Sequence, residues 1–236
     1  FIAELTIFVG APFLIIDTFV SAKLPAATFA TMAGAAIACH ALPIGIGWLL
    51  LRATRQPVEV FLPSLVFANT GNMGVPLCLF AFGEEGLALG VAYFAIGTLF
   101  NFTIGELLAS GRLSIAEVAW SPILWSTALA VVLSVTGLEL PAMLERATRM
   151  LAGLAVPLML ISLGVSLSRL RVTSARRSFL IACGRLGIGF AVGWLVASAL
   201  GLEGVARGVV VIQSAMPVAV FNYMFALRHD RRPEEV

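Results

Sequence analysis

Two asparagines, a threonine, two glycines and a proline crowd the middle of an otherwise apolar stretch, residues 59–82. They are Asn69, Thr70, Gly71, Asn72, Gly74 and Pro76. These residue types bind; they do not break bonds. Asn offers an amide donor and acceptor, and Thr a hydroxyl. Each Gly costs about 1 kcal/mol against Ala in a helix. Pro lacks an N–H and clashes with the carbonyl one turn back. In hydrocarbon every backbone polar group needs a partner, so loosened backbone survives only buried in protein or lining a cavity. The stretch predicts two half-helices meeting near mid-bilayer, with free amides facing a site. The other reading is a Pro-kinked helix whose Asn side chains bond neighbouring helices.

A second cluster has the same character: Gln213, Ser214, Met216 and Pro217, followed by Asn222 and Tyr223. A half-helix N-terminus carries unpaired N–H groups and about half a positive charge. Such ends bind carboxylates and phosphates. Pro is favoured in the first helical turn, so a new half-helix is expected after Pro76 and after Pro217. Brought together, the two ends make an electropositive focus that needs no Lys or Arg, and a small organic anion is its natural ligand. The adjacent half-helix C-termini, with the amide oxygens of Asn69, Asn72 or Gln213, offer a cation site instead.

The remaining polar groups divide by position. His40 lies near mid-span, where it is either a packed, hydrogen-bonded residue or a proton-coupling group. Asp17 and Glu106 sit within a turn or two of their span ends, which favours interfacial roles over proton coupling. Arg185 is expected to snorkel to the interface, and Asn101 and Asn222 to bond between helices. The pairs Gly86/Gly90, Gly189/Gly193 and Gly204/Gly208 have close-packing spacing. Cys39, Cys78 and Cys183 read as small hydrophobes in apolar runs, without metal spacing. No Ser-His-Asp set, HExxH or Walker loop is present, so catalysis has no support. No cofactor or metal is implied, and no basic stripe suggests nucleic acid.

The elements that must carry these residues are membrane spans. Of 236 residues, 60% are hydrophobic and 12% charged, against about 25% charged in soluble domains. The lipid bilayer is therefore the chain's surroundings. At about 20 residues per span, eight segments can be drawn: 1–21, 26–51, 59–82, 86–109, 117–136, 141–167, 176–200 and 203–227. Residues 141–150 are more polar and predict an interfacial turn of helix before the sixth span proper. One set of span ends carries Arg52, Arg55, Arg112, Arg169, Arg171, Arg176, Arg177, Arg228, Arg231 and Arg232. The other carries Lys23, Arg146, Arg149 and Arg207, with Glu84, Glu85 and Glu203. The positive-inside rule places the first set, including the Arg112 loop and the Arg228–Arg232 segment, in the cytoplasm.

The chain also repeats itself. Aligning Pro12 with Pro157 superimposes Ala11–Ile16 on Val156–Ile161, and Val20-Ser21 on Val165-Ser166, without a gap. The third and eighth segments pair as well: both are apolar, turn polar midway at a Pro, and resume. Both matches lie five spans apart, an odd shift, so the copies are inverted. Paired interrupted spans in inverted halves are the sequence mark of a transporter site.

Three motifs carry a resemblance: FANTGNMGVPL in the third segment, AVPLMLISLGVSL in the sixth and QSAMPVAVFNYMFA in the eighth. Together they resemble the auxin efflux carrier family of secondary transporters, of the bile acid/sodium symporter superfamily. The resemblance implies an all-α integral membrane fold of ten helices in two inverted five-helix repeats, whose fourth and ninth helices are broken and cross. The eight segments then correspond to family helices two to nine. Residues 1–110 form the first repeat without its first helix, and 111–236 the second without its last. The crossover positions fall on Asn69, Gly71, Gly74 and Pro76, and on Pro217 with Gln213, Ser214 and Met216 before it. The loop near 110–115 is short, unlike that of the plant carriers, and resembles bacterial members, which implies a multi-pass protein of the bacterial inner membrane. The implied activity is alternating-access transport of a small organic anion, with the Pro12 and Pro157 spans in the scaffold. The breaks offer amides and hydroxyls but no Asp or Glu, so the expected coupling is to H⁺, or none, before Na⁺. A sodium-coupled symporter of the bile acid type stands second, and a non-transporting receptor or assembly subunit third. A homodimer is compatible with the reading.

Overall fold

A computed structural model describes residues 1–22, 24–105, 107–108, 119–169 and 175–219. Among these the chain is helical apart from its turns and one isolated two-residue bridge. The helices are α1 (Ile2–Ala22), α2 (Ala26–Ala53), α3 (Val58–Val66), α4 (Thr70–Gly105), α5 (Pro122–Thr136), α6 (Ala142–Ala152), α7 (Ala155–Arg169), α8 (Ala175–Ala199) and α9 (Gly204–Ser214). Five helical runs are long and apolar enough to cross a membrane: α1, α2, α4, the run from Ala142 to Ser168, and Ser178–Ala199. Large apolar side chains, among them Phe80, Trp125, Phe179, Leu180 and Leu195, face outward, as lipid-facing surfaces require. The chain is an all-α, multi-pass membrane protein.

Among the described residues, every expected segment contains helix. The third and fourth divide at Gly83, whose φ of 64° and ψ of −151° interrupt α4. Only Gly adopts such a conformation without strain. The sixth divides where expected: α6 is a separate, mostly exposed polar helix, turned off from α7 at Gly153–Leu154.

Two internal prolines have a common solution. Thr6–Gly10 and Thr70–Gly74 are π turns, and each ends two residues before a proline, Pro12 and Pro76 respectively. Because Pro offers no N–H and crowds the preceding turn, widening that turn to i→i+5 bonding relieves the crowding without ending the helix.

The packing forms two groups. In one, α1 packs against α5 and α6, and its π turn lies on α7. Gly10 abuts the backbone of Ala155 there, so no larger residue fits without a shift. In the other, α2, α3, α4, α8 and α9 pack on one another. The groups meet where α1 lies on α4 and where α7 lies on the first turn of α4. The main core runs through both, from Ile15 and Phe19 to Tyr93, Val192 and Val210. A smaller cluster, including Leu51, Phe61, Leu65 and Phe67, surrounds α3.

Asp17 pairs with Arg149 at 3.7 Å and accepts a bond from Ser21 Oγ, while Ser134 Oγ donates to the Leu24 carbonyl. The far ends of α1 and α5 and the α6 helix therefore lie at the same end of the bundle. Glu106, Lys23, the Arg112 loop, Arg171, Asn222, Tyr223 and the Arg228–Arg232 segment lie outside the described residues.

Candidate functional site

The third span breaks at Phe67-Ala68-Asn69, between α3 and α4. The eighth breaks at Ala215–Val218, after α9. The two breaks meet. Ala68 and Val218 form an antiparallel bridge, in which the Asn69 N–H donates to the Pro217 carbonyl at 2.8 Å and the Ala219 N–H donates to the Phe67 carbonyl at 3.0 Å. Backbone amides freed by one break are thus satisfied by the other, which is how unwound chain persists in hydrocarbon.

The break lies earlier than the sequence suggests. Helix resumes at Thr70 and not after Pro76. Gly71, Asn72 and Gly74 belong to the π turn, and Pro76 sits inside α4. The reason is the π turn itself, which absorbs Pro76, whereas the chain leaves helical geometry at Phe67, with φ −93° and ψ 112°, and regains it after Asn69, with φ −76° and ψ 61°. The half-helix N-terminus is therefore formed by Thr70–Met73. Its first intrahelical bond is that of the Gly74 N–H to the Asn69 carbonyl, at 3.0 Å. The Asn69 side chain makes no cap bond, so the amides of Gly71, Asn72 and Met73 precede the helical ladder uncapped. These three residues are half-buried, at the junction of α4 with α7, while Asn69, Thr70 and Gly74 are buried. Gly71 is required by the Phe94 ring, which lies where a larger residue's Cβ would stand. The corresponding half-helix after Pro217 lies outside the described residues.

Gln213 is fully buried, and its Nε2 donates to the Gly90 carbonyl of α4 at 3.0 Å. Its Oε1 lies against Gly74 and has no partner among the described residues. Ser214 Oγ is turned back to the Val211 carbonyl, and Met216 is buried beside Gly74. Gln213 thus holds α9 to α4 across the crossing.

His40 is buried. Its Nδ1 donates to the Ala36 carbonyl at 2.7 Å, and the rings of Phe67, Tyr93 and Phe100 lie within 6.4 Å. Gly97 leaves room for the imidazole. Because Phe67 is the first residue of the break, His40 touches the crossing from the side. Asp17 is instead held in its ion pair with Arg149. Asn101 is buried, but its Oδ1 bonds no neighbouring helix among the described residues. Cys39 and Cys78 are buried as expected, whereas Cys183 is exposed on the apolar surface.

Arg185 reverses its expectation. It does not reach the interface but is 1% exposed, inside the crossing. It stands ten residues into α8, about 15 Å along the helix, too deep to snorkel. Its guanidinium donates to the Leu65 carbonyl at 3.4 Å and to the Ser214 carbonyl at 2.7 Å. These carbonyls belong to the C-terminal ends of α3 and α9. Nε is buried and has no partner among the described residues. The crossing therefore does contain a full positive charge, contrary to the dipole-only focus. Gly189 and Gly193 admit it: both lie against Ser214, so α8 and the end of α9 pack at backbone distance. The signal in the sequence is depth. An Arg at the middle of a 20-residue span costs about 2.5–3.5 kcal/mol unless it has a partner.

Comparison with known proteins places these features. The profile of the membrane transport protein family matches residues 106–236, more than half of the chain. An uncharacterized transporter of Methanothermobacter thermautotrophicus is 29% identical over 168 residues, covering 69% of this chain and 55% of its own length. An uncharacterized transporter of Methanocaldococcus jannaschii is 25% identical over 177 residues, covering 70% of this chain and 57% of its own. The chain thus spans little more than half the length of these curated relatives. Two interrupted spans that pair through their backbones, together with this match, lead to one conclusion: the chain belongs to the membrane transport protein family, the auxin efflux carriers that its three motifs resemble.

Proposed function

We propose that the protein is a secondary carrier, and not an enzyme, that moves a small organic anion across the membrane by alternating access. The observation that carries this reading is the uncapped first turn of α4, where the amides of Gly71, Asn72 and Met73 stand at the junction with α7. A helix start of this kind holds about half a positive charge and is complementary to a carboxylate. Thr70, Asn69 and the crossing segment Ser214–Pro217 surround it and set orientation. The junction separates the α1–α5–α6–α7 group from the crossing bundle, so relative movement of the two would open the site to one face and then the other. The two bundles arise from inverted repeats, residues 1–110 and 111–236. The Arg112 loop and the Arg228–Arg232 segment are cytoplasmic in this reading, with the plasma membrane of the cell as location.

Flux into proteoliposomes tests it. Mono- and dicarboxylates such as malonate should compete for uptake, while the matching amides and esters should not. Equal competition by the neutral analogues would overturn the anion reading.

A further inference from the structure

We propose that Arg185 is a tethered cation: its guanidinium occupies the place at the crossing where a freely diffusing metal cation would otherwise bind, so that the crossing holds together without Na⁺. The inference rests on the crossing being the transport site. In carriers with broken spans, half-helix C-termini and unwound carbonyls are what coordinate a coupling ion. Here the two C-termini, α3 at Leu65 and α9 at Ser214, both accept bonds from one guanidinium. Each end carries about half a negative charge. Two such ends balance one Arg, so the charge is matched without a carboxylate. The geometry is built for it. Gly189 and Gly193 bring α8 to the Ser214 backbone, and Gly189 also lies against the guanidinium. Arg185 is fully enclosed, within electrostatic reach of Cys39, His40 and Tyr93.

Neutralising the two negative ends has a second effect. It leaves the positive N-terminus at Thr70 as the uncancelled dipole at the crossing, favouring an anion. Arg185 is thus a positioning residue: it acts through the two half-helix ends and fixes the coupling requirement.

Melting of the purified protein tests this without any substrate. In sodium, potassium and choline chloride at equal ionic strength, the wild-type protein should melt at one temperature. A Na⁺-specific rise in the wild type would overturn the proposal. The Arg185→Ala protein should melt roughly 5 °C lower. Millimolar guanidinium should restore the loss saturably, while leaving the wild type unchanged. A folded Arg185→Ala protein that ignores guanidinium would overturn the proposal. Should that variant fail to fold, Arg185→Lys keeps the charge and should melt at one temperature in all three salts; a Na⁺-specific rise would again count against the tethered cation. Failure of the carboxylate flux assay leaves these melting results standing, so the two readings fall separately.

Discussion

The amide nitrogen of Asn69 lies 2.8 Å from the carbonyl oxygen of Pro217, a residue on the other broken span. That contact fixes where each half-helix ends and where the uncapped turn at Thr70 points. Substitutions around it should therefore have separable effects.

Asn69 and Gln213 should part company. Gln213→Ala removes the bond to the Gly90 carbonyl and leaves a cavity between α9 and α4, a loss of about 1–3 kcal/mol, so its melting temperature should fall by several degrees. Asn69 makes no cap bond, so Asn69→Ala should melt near the wild type yet bind carboxylate roughly tenfold more weakly. Melting curves and binding isotherms on both variants and on the double substitution check this. Equal melting losses for the two single variants would contradict it.

Pro76→Ala restores a donor to α4 next to the π turn. The turn should then tighten towards α-helical bonding and withdraw the amides of Gly71–Met73. Transport should fall at least tenfold, while melting stays level or rises. A variant that transports at wild-type rate would show that the π turn plays no part in binding.

Gly189→Ala should be severe and Gly187→Ala mild. An added Cβ at 189 meets the Ser214 backbone, whereas nothing lies within 4 Å of one at 187. Overpacking of this kind costs about 1–3 kcal/mol. Thermal unfolding of the two variants side by side is the measurement, and similar midpoints would argue against the close approach of α8 and α9.

Single cysteines should report sidedness. Arg55→Cys, Arg112→Cys and Arg171→Cys should react with impermeant reagent only from the cytoplasm, and Glu84→Cys only from outside. Labelling of positions 84 and 112 from one side would rule out the inverted arrangement.

Much of the architecture is legible because hydrophobic runs and punctuation act locally. The boundary between the segments 59–82 and 86–109 falls at Gly83, and the polar stretch 141–150 lies in the separate helix α6. The two interrupted spans were found because Asn, Gly and Pro are conspicuous in apolar sequence. The exact point of unwinding was not legible. Pro76 looks like a stop, but whether it ends a helix depends on the turn before it, and the π turn at Thr70–Gly74 lets the helix pass. The burial of Arg185 is illegible for a different reason. Its partners are carbonyls 120 and 29 residues away, which no local pattern announces. Gln213 is similar: the carbonyl to which its Nε2 donates is that of Gly90, on a helix far away in sequence.

The joint between Ala68 and Val218 is made of peptide groups alone. It ties the two broken spans together through main-chain bonds alone, so the join makes no demand on residue type beyond bulk. Side chains flanking it can be exchanged without losing the join, provided their bulk is tolerated, and the two spans that share it can differ in sequence and still meet.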